Sequence, residues 1–298
     1  MEPQIGFVGL GQMGMGMALN IAEAGFNLTV FDLRKEHMDK LVSRGASPAE
    51  SLNDIADQCG WIFLSLPGTE EVKSVVFGPD GMEDRLNPGS IVVDCGTTHP
   101  LAAREFARDL KEKDVVFLDA PVSGMHARAM EGTLTAMVGG DEASFKKVKR
   151  VMESFANKII YMGESGNGQL TKLTNQLLFN INTAAVAEIL PMAVKMGLDP
   201  GKVIDVVKTG TGRSLALEFF GPLILENDFG PGYPLQDAYK DMVSAAEISS
   251  RKKIPLPVTA SATVTYQIAL TQGLGEENKG AMIKVWEKAL GIKVRKKK

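Results

Sequence analysis

The 298-residue sequence predicts an α/β domain built on a doubly wound parallel sheet over residues 1–165, followed by an all-α domain over residues 166–298. Three observations predict it. Short apolar runs alternate with amphipathic segments through the first half, as in successive βαβ units. Gly166-Asn167-Gly168 then interrupts that alternation. Beyond it, apolar residues recur at three- and four-residue intervals almost to the C-terminus.

Taken in order, residues 5–10 read as a strand, and Met13, Met17, Ala18, Ile21 and Ala22 as the buried face of a helix ended near Gly25. Residues 28–31, 61–66, 91–94 and 115–120 are further strands bounded by Gly, Pro and Asp, with helical patterns at 70–76 and 100–113. Strands at 133–138 and 158–161 finish the domain. The second half offers helices at 168–197, 200–208, 215–225, 235–251, 257–270 and 279–289, with a Gly- and Pro-rich loop at 228–234. The first of these is long, up to about 45 Å, and its apolar content marks it for burial. Pro191 within it is expected to introduce a kink.

Composition narrows the function. Hydrophobic content of 44% and charged content of 23% are those of an ordinary globular chain, and no apolar run reads as long enough to span a membrane. The N-terminal Met1-Glu2-Pro3-Gln4 leads straight into a strand without a basic, cleavable leader, so a cytoplasmic protein is expected. Cys59 and Cys95 are too few for a disulfide framework, and His37, His99 and His126 form no metal-ligand spacing. A net charge of −3 argues against nucleic acid as the main partner. The basic run Lys293-Val294-Arg295-Lys296-Lys297-Lys298 reads as a frayed, solvated tail.

Gly9-Leu10-Gly11-Gln12-Met13-Gly14 follows the first strand and opens the first helix. In that context it is a dinucleotide fingerprint. The first glycine makes the turn, the second admits a pyrophosphate to the backbone, and the third lets helix and sheet pack closely. Asp32 ends the second strand 18 residues beyond Gly14, where a carboxylate accepts from ribose hydroxyls. The domain therefore reads as a Rossmann domain. Asp32 would repel a 2′-phosphate, which favours NAD, although Arg34 and Lys35 beside it leave NADP possible.

Lys172 stands on an otherwise apolar and amide stretch of the long helix, and Lys172, Asn175, Gln176 and Phe179 share one stripe. Desolvation lowers the pKa of a lysine, which suits it to proton transfer near neutral pH. A lysine snorkelling from a half-exposed first turn is the plainer reading, and the fingerprint upstream weighs against it.

The chain resembles the β-hydroxyacid dehydrogenase family over essentially its full length. The resemblance rests on Gly9 to Gly14; Leu66-Pro67; Asp94-Cys95-Gly96-Thr97; Asp119-Ala120-Pro121-Val122-Ser123-Gly124; Gly132-Thr133-Leu134; Gly166-Asn167-Gly168 with Lys172 and Asn175; and Lys240-Asp241. It implies an NAD(P)-dependent oxidoreductase interconverting a small β-hydroxyacid and its semialdehyde or oxo acid. Lys172 would be the general acid/base, and Ser123, Gly124 and Asn175 would hold the substrate, with Gln176 a weaker candidate. Gly9, Gly11, Gln12, Met13, Gly14, Asp32, Leu66, Pro67, Thr97 and Lys240 would hold the cofactor.

The sequence departs from that family at Met125, where relatives carry a second glycine after Ser-Gly. If the backbone needs positive φ there, Met is strained; if not, it narrows the pocket. His126 and Arg128 follow, and one of them, Arg128 foremost, is a candidate for a second negative charge on a dianionic substrate, a solvated turn being the alternative. Gly212-Arg213-Ser214 is a further candidate contact. An imine reductase on the same fold, and a catalytically silent cofactor-binding scaffold, are the competing readings. The apolar helix has more surface than one small domain covers, so a homodimer or homotetramer is expected.

Overall fold

The computed structural model describes residues 3–230 and 233–296. The expectations for Met1-Glu2, for Pro231-Gly232 in the Gly- and Pro-rich loop, and for Lys297-Lys298 lie outside those residues. The chain divides into two compact units, Met1–Lys172 and Leu173–Lys298.

The first unit holds one sheet of β1 (Ile5–Val8), β2 (Leu28–Phe31), β3 (Ser47–Pro48), β4 (Trp61–Leu64), β5 (Ile91–Asp94), β6 (Val116–Asp119), β7 (Val122–Ser123), β8 (Leu134–Gly139) and β9 (Ala156–Gly163). Their order is β3-β2-β1-β4-β5-β6-β8-β7, with β9 beside β8. Pairing is parallel from β3 through β6 and between β8 and β9, and β8 runs antiparallel to β6 and β7. The chain moves outward from β1 to β3 and then returns to β4 on the other side of β1. That reversal leaves a crevice at the carboxyl ends of β1 and β4.

The central strands are apolar on both faces because both faces are covered. Phe7, Phe63, Val93 and Leu118 pack in one core with Met17 and Ile21 of α1 (Gln12–Glu23). Their neighbours Val8, Ile62, Leu64, Val92 and Phe117 point the other way, into a core closed by α3 (Leu52–Gln58), α4 (Thr69–Phe77) and α5 (Pro100–Lys111). The helices α2 (Lys35–Val42), α6 (Met125–Met130) and α7 (Glu142–Met152) complete the unit, and the sequence pattern had not marked α2, α3, α6 or α7.

The helix α8 (Asn167–Lys195) contains the break between the units, and α9 (Pro200–Thr209), α10 (Leu215–Leu225), α11 (Leu235–Lys252), α12 (Pro257–Thr271) and α13 (Ile283–Leu290) follow. Residues Lys279–Met282, expected as α-helix, form a 3-10 turn leading into α13. Ala184, Leu190, Ile204, Phe220, Leu235, Met242, Tyr266 and Met282 form the second unit's own core.

The helix α8 holds Pro191 within it and runs to Lys195. Two expectations change. This helix is long and apolar enough to match a membrane span, with a mean hydropathy of 1.5, against the reading that no run was. Packing of Ala184, Ala187 and Leu190 into the second core accounts for part of that apolarity. Burial is far from complete, since Leu170, Leu178, Ile189 and Met192 are exposed. The basic tail is docked instead of frayed as far as residue 296. Val294 is buried with its N–H on Glu287 Oε1 at 2.9 Å, Arg295 reaches the same carboxylate at 2.5 Å, and Lys296 N–H donates to Leu225 O at 3.1 Å.

Candidate active site

Five neighbouring strands of the first unit deliver predicted site residues from their carboxyl ends. Gly9 follows β1, Asp32 follows β2, Leu66 and Pro67 follow β4, Thr97 follows β5, and Ser123 lies just beyond β6. The glycine turn is as tight as the fingerprint requires. Gly9 has φ +93°, and a Cβ on Gly14 would lie 1.9 Å from Gly9 O. A Cβ on Gly11 would meet nothing within 4 Å, and the α1 N-terminus that Gly11 opens has no side-chain cap. Open space in front of uncapped helix N–H groups is what a pyrophosphate needs. The residues present therefore fit a dinucleotide.

Asp32 Oδ2 accepts the Leu10 N–H at 2.6 Å, and Oδ1 accepts the Arg34 N–H at 2.9 Å. Burial pushes its pKa upward, but the hydrogen bonds from Arg34 and Leu10 prevail and hold the carboxyl below its ordinary range. It is ionised at neutral pH.

The loop after β6 settles the question at Met125. Gly124 has φ +146° and Met125 has φ +64°, so the position does demand the left-handed region and the methionine is strained in it. The Met125 side chain is exposed. The two basic residues beyond it are engaged within the first unit. His126 Nδ1 lies 2.7 Å from Gln12 O of the glycine turn, and the Arg128 guanidinium donates to Thr133 O. Arg128, a candidate for a second substrate charge, also fastens its own loop. Asn20 Nδ2 adds to this docking by donating to Gly16 O and Ala129 O, where α6 lies against α1.

Lys172 is 9% exposed, and its Nζ donates to Val122 O at 2.9 Å. That carbonyl belongs to the residue before Ser123. The start of α8 is held by Asp119, whose Oδ1 accepts from Gly166 N at 2.7 Å and Oδ2 from Gln169 N at 2.8 Å. Asp94, at the end of the adjacent strand, accepts from Thr98 Oγ1 at 2.6 Å, Gly96 N at 2.9 Å and Gln169 Nε2 at 3.2 Å. Burial pushes Asp94 up to about 6 and Asp119 up to about 6, in Asp119 with help from the Asp94 charge. The sequence reading used both aspartates only as motif markers and passed over Gln169.

The second unit carries the other predicted residues. Asn175 is exposed and donates to Gln176 Oε1 at 3.2 Å, while Gln176 is buried and lies 3.4 Å from Asp241 Oδ2. Lys240 is exposed on α11, and Arg213 is paired with Glu218. Within α8 the side chains of Gln169, Lys172, Gln176, Asn180 and Thr183 are buried polar groups. Lys279 is a buried cation the sequence reading did not single out. Its Nζ donates to Asn180 Oδ1 at 2.8 Å and sits 3.8 Å from the centre of the Phe179 ring.

The fold and the glycine turn define an NAD(P)-binding α/β domain followed by an all-α domain. Residues 4–163 match the family described as the NAD binding domain of 6-phosphogluconate dehydrogenase. Residues 166–286 match the family described as NAD-binding of NADP-dependent 3-hydroxyisobutyrate dehydrogenase. The chain is 36% identical to 2-(hydroxymethyl)glutarate dehydrogenase of Eubacterium barkeri over 98% of its length and 97% of that protein. It is 34% identical to 2-hydroxy-3-oxopropionate reductase of Escherichia coli (strain K12), over 95% and 97% respectively. The crystal structure of 3-hydroxyisobutyrate dehydrogenase from Salmonella typhimurium superposes with a TM-score of 0.85 at 30% identity, covering 95% of this chain and 99% of that one. The chain belongs to the 3-hydroxyisobutyrate dehydrogenase family of NAD(P)-dependent oxidoreductases.

Proposed function

We propose that this chain interconverts a small 3-hydroxyacid and its semialdehyde or oxo acid, with Lys172 carrying the hydroxyl proton. The observation that carries the reading is the Lys172 ammonium, buried and bonded to the backbone next to Ser123. Nicotinamide, when bound, accepts or returns the hydride at its C4. Ser123 and the Gly124 N–H bind the substrate carboxylate, which sets the carbinol near Lys172. A neutral Lys172 amine keeps an N–H for Val122 O while its lone pair takes the hydroxyl proton, and the ammonium returns a proton to the carbonyl oxygen in reduction.

Gly9, Gly11 and Gly14 hold the pyrophosphate with the N–H groups of Gln12 and Met13, and Asp32 binds the adenosine ribose. Leu66, Pro67 and Thr97 flank the cofactor from the β4 and β5 ends. Asn175 and Lys240 keep the roles the family resemblance implies, contacts to substrate and cofactor. An ionised Asp32 opposes a 2′-phosphate and supports NAD over NADP. Among substrates, the names of the two relatives point to a 2-(hydroxymethyl)glutarate-like or hydroxyisobutyrate-like acid.

The exposed Leu178, Ile189 and Met192 on one helix, with Met196, Val206 and Leu215, support a homodimer or homotetramer, and a monomer by light scattering contradicts that. Cys59 and Cys95 are buried free thiols, which supports a cytoplasmic setting. Absorbance of NADH over a panel of 3-hydroxyacids, their semialdehydes and cyclic imines tests the activity. Turnover of hydroxyacids is expected; turnover of imines alone, or of nothing, overturns the reading.

A further inference from the structure

Gln169 is 1% exposed and uses its polar groups on two segments of the first unit, 94–98 and Asp119. Its backbone N–H donates to Asp119 Oδ2 at 2.8 Å. Its Nε2 donates to Asp94 Oδ2 at 3.2 Å and to Gly96 O at 3.0 Å, and its Oε1 accepts from Thr98 N at 3.1 Å. Both amide hydrogens and the amide oxygen are therefore engaged.

The two carboxylates it meets are neighbours by construction. Asp94 and Asp119 are partners in the β5–β6 ladder and stand at the last position of each strand. The helix start is pressed onto these strand ends. A Cβ on Gly168 would lie 2.4 Å from Met137 O and 2.5 Å from Asp119 O, so the register of α8 is fixed as well as its direction. Three residues beyond Gln169, a rise of roughly 4.5 Å, comes Lys172.

We propose that Gln169 is a positioning residue of the active site, whose side-chain amide ties the strand-end loop bearing Thr97 to the helix turn bearing Lys172, while its backbone N–H holds Asp119 ahead of the Ser123 loop. Gly96 and Thr98 flank Thr97, and both are held by the one amide group. Asp119 lies four residues before Ser123, and it holds the Gly166 and Gln169 N–H groups. All of these bonds lead to the segments beyond the strand ends where the site is built. Only an amide meets the demand, since the side chain must donate twice and accept once. A hydrocarbon does neither, and an ionised glutamate would set a third carboxylate against Asp94.

The inference rests on the reading of Lys172 given above, and the test separates the two. Gln169→Leu, Gln169→Glu and Lys172→Ala are compared in the full chain by steady-state kinetics between pH 5.5 and 8.5, NADH fluorescence titration, and hydrogen exchange over residues 164–172. In Gln169→Leu, kcat is expected to fall by roughly 30-fold or more with a small change in hydroxyacid KM, as for a displaced catalytic group. Exchange over residues 164–172 is expected to rise at least about tenfold.

Gln169→Glu gives a second, independent readout. The titratable groups bonded to Gln169 are Asp94 at the end of β5, through its Nε2, and Asp119 at the end of β6, through its backbone N–H. The introduced carboxyl, once protonated, can again donate to Asp94, so kcat of this variant relative to wild type is expected to rise as pH falls. A purely structural role would lower melting temperature and leave that ratio flat.

Unchanged exchange in a folded Gln169→Leu protein, or kcat within twofold of wild type, overturns the proposal. If Gln169→Leu does not fold, a pH-independent ratio for Gln169→Glu overturns it instead. Full turnover in Lys172→Ala rejects the proton carrier, while the exchange data still decide whether Gln169 ties the loops.

Discussion

Lys172 Nζ donates to Val122 O across 2.9 Å, so a buried amine and the peptide that presents Ser123 are fixed to one another inside the first unit. The two residues are joined through different secondary structures, the first turns of α8 and the short β7. Their bond gives the lysine a defined direction with no substrate present. The loop it grips is the same one whose backbone is strained at Met125.

The glycine turn gives the cleanest separation of fold from binding. Gly11→Ala places a methyl in open space, so its melting temperature is expected to match wild type while NADH affinity drops about tenfold or more, because the methyl occupies the pyrophosphate position. Gly14→Ala drives a methyl into Gly9 O and is expected to lose both stability and binding. Thermal melts and fluorescence titrations on the two variants check the contrast.

Met125→Gly relieves a left-handed conformation that a side chain tolerates poorly. Unfolding in urea is expected to show a gain of about 0.5–1 kcal/mol, the relief being partly offset by the extra freedom of glycine in the unfolded chain. With the side chain gone beside Ser123-Gly124, bulkier hydroxyacids are expected to gain kcat/KM relative to the smallest. A loss of stability would show that Met125 contributes packing that outweighs its backbone strain.

Asp94 and Asp119 are each raised by burial to about 6, so the folded chain binds more protons than the unfolded one between about pH 4 and pH 6. Their contribution to stability is present in full below the unfolded carboxylate pKa and is lost as pH rises through 6. Asp32 acts in the opposite sense and only below its ordinary range, where its hydrogen bonds are lost on protonation. Urea unfolding at pH 4.5 and 6.5 is expected to show stability falling with pH, and Asp94→Asn is expected to reduce that fall by on the order of 2 kcal/mol. An unchanged fall in the variant contradicts the assignment.

The longer strands and the glycine turn were legible in sequence because local pattern alone specifies them, while the two-residue β3 and β7 were not. Apolar runs such as Ile91-Val92-Val93 are buried on both faces, and Gly9, Gly11 and Gly14 follow a strand directly. The helix α2 is short and only its Leu41 is buried, and the helical spacing of Met38, Leu41 and Val42 was a signal present and unused. For α3 and α7 the signals were present and unused: Ser51 and Asp54 form a capping box, and Asp141 caps a helix with Phe145, Val148, Val151 and Met152 inward. In the candidate site, Lys172 and Ser123 stood out as residue types in motifs. Gln169 did not, because its partners Asp94, Gly96, Thr98 and Asp119 are far away in sequence and meet it only in the folded sheet.

The most direct test is the turnover of Lys172→Ala measured beside its NADH affinity. The account predicts kcat lower by about 10² or more with NADH affinity within about twofold of wild type, because the lysine moves a proton and does not hold the dinucleotide. Near-normal turnover in that variant would contradict it.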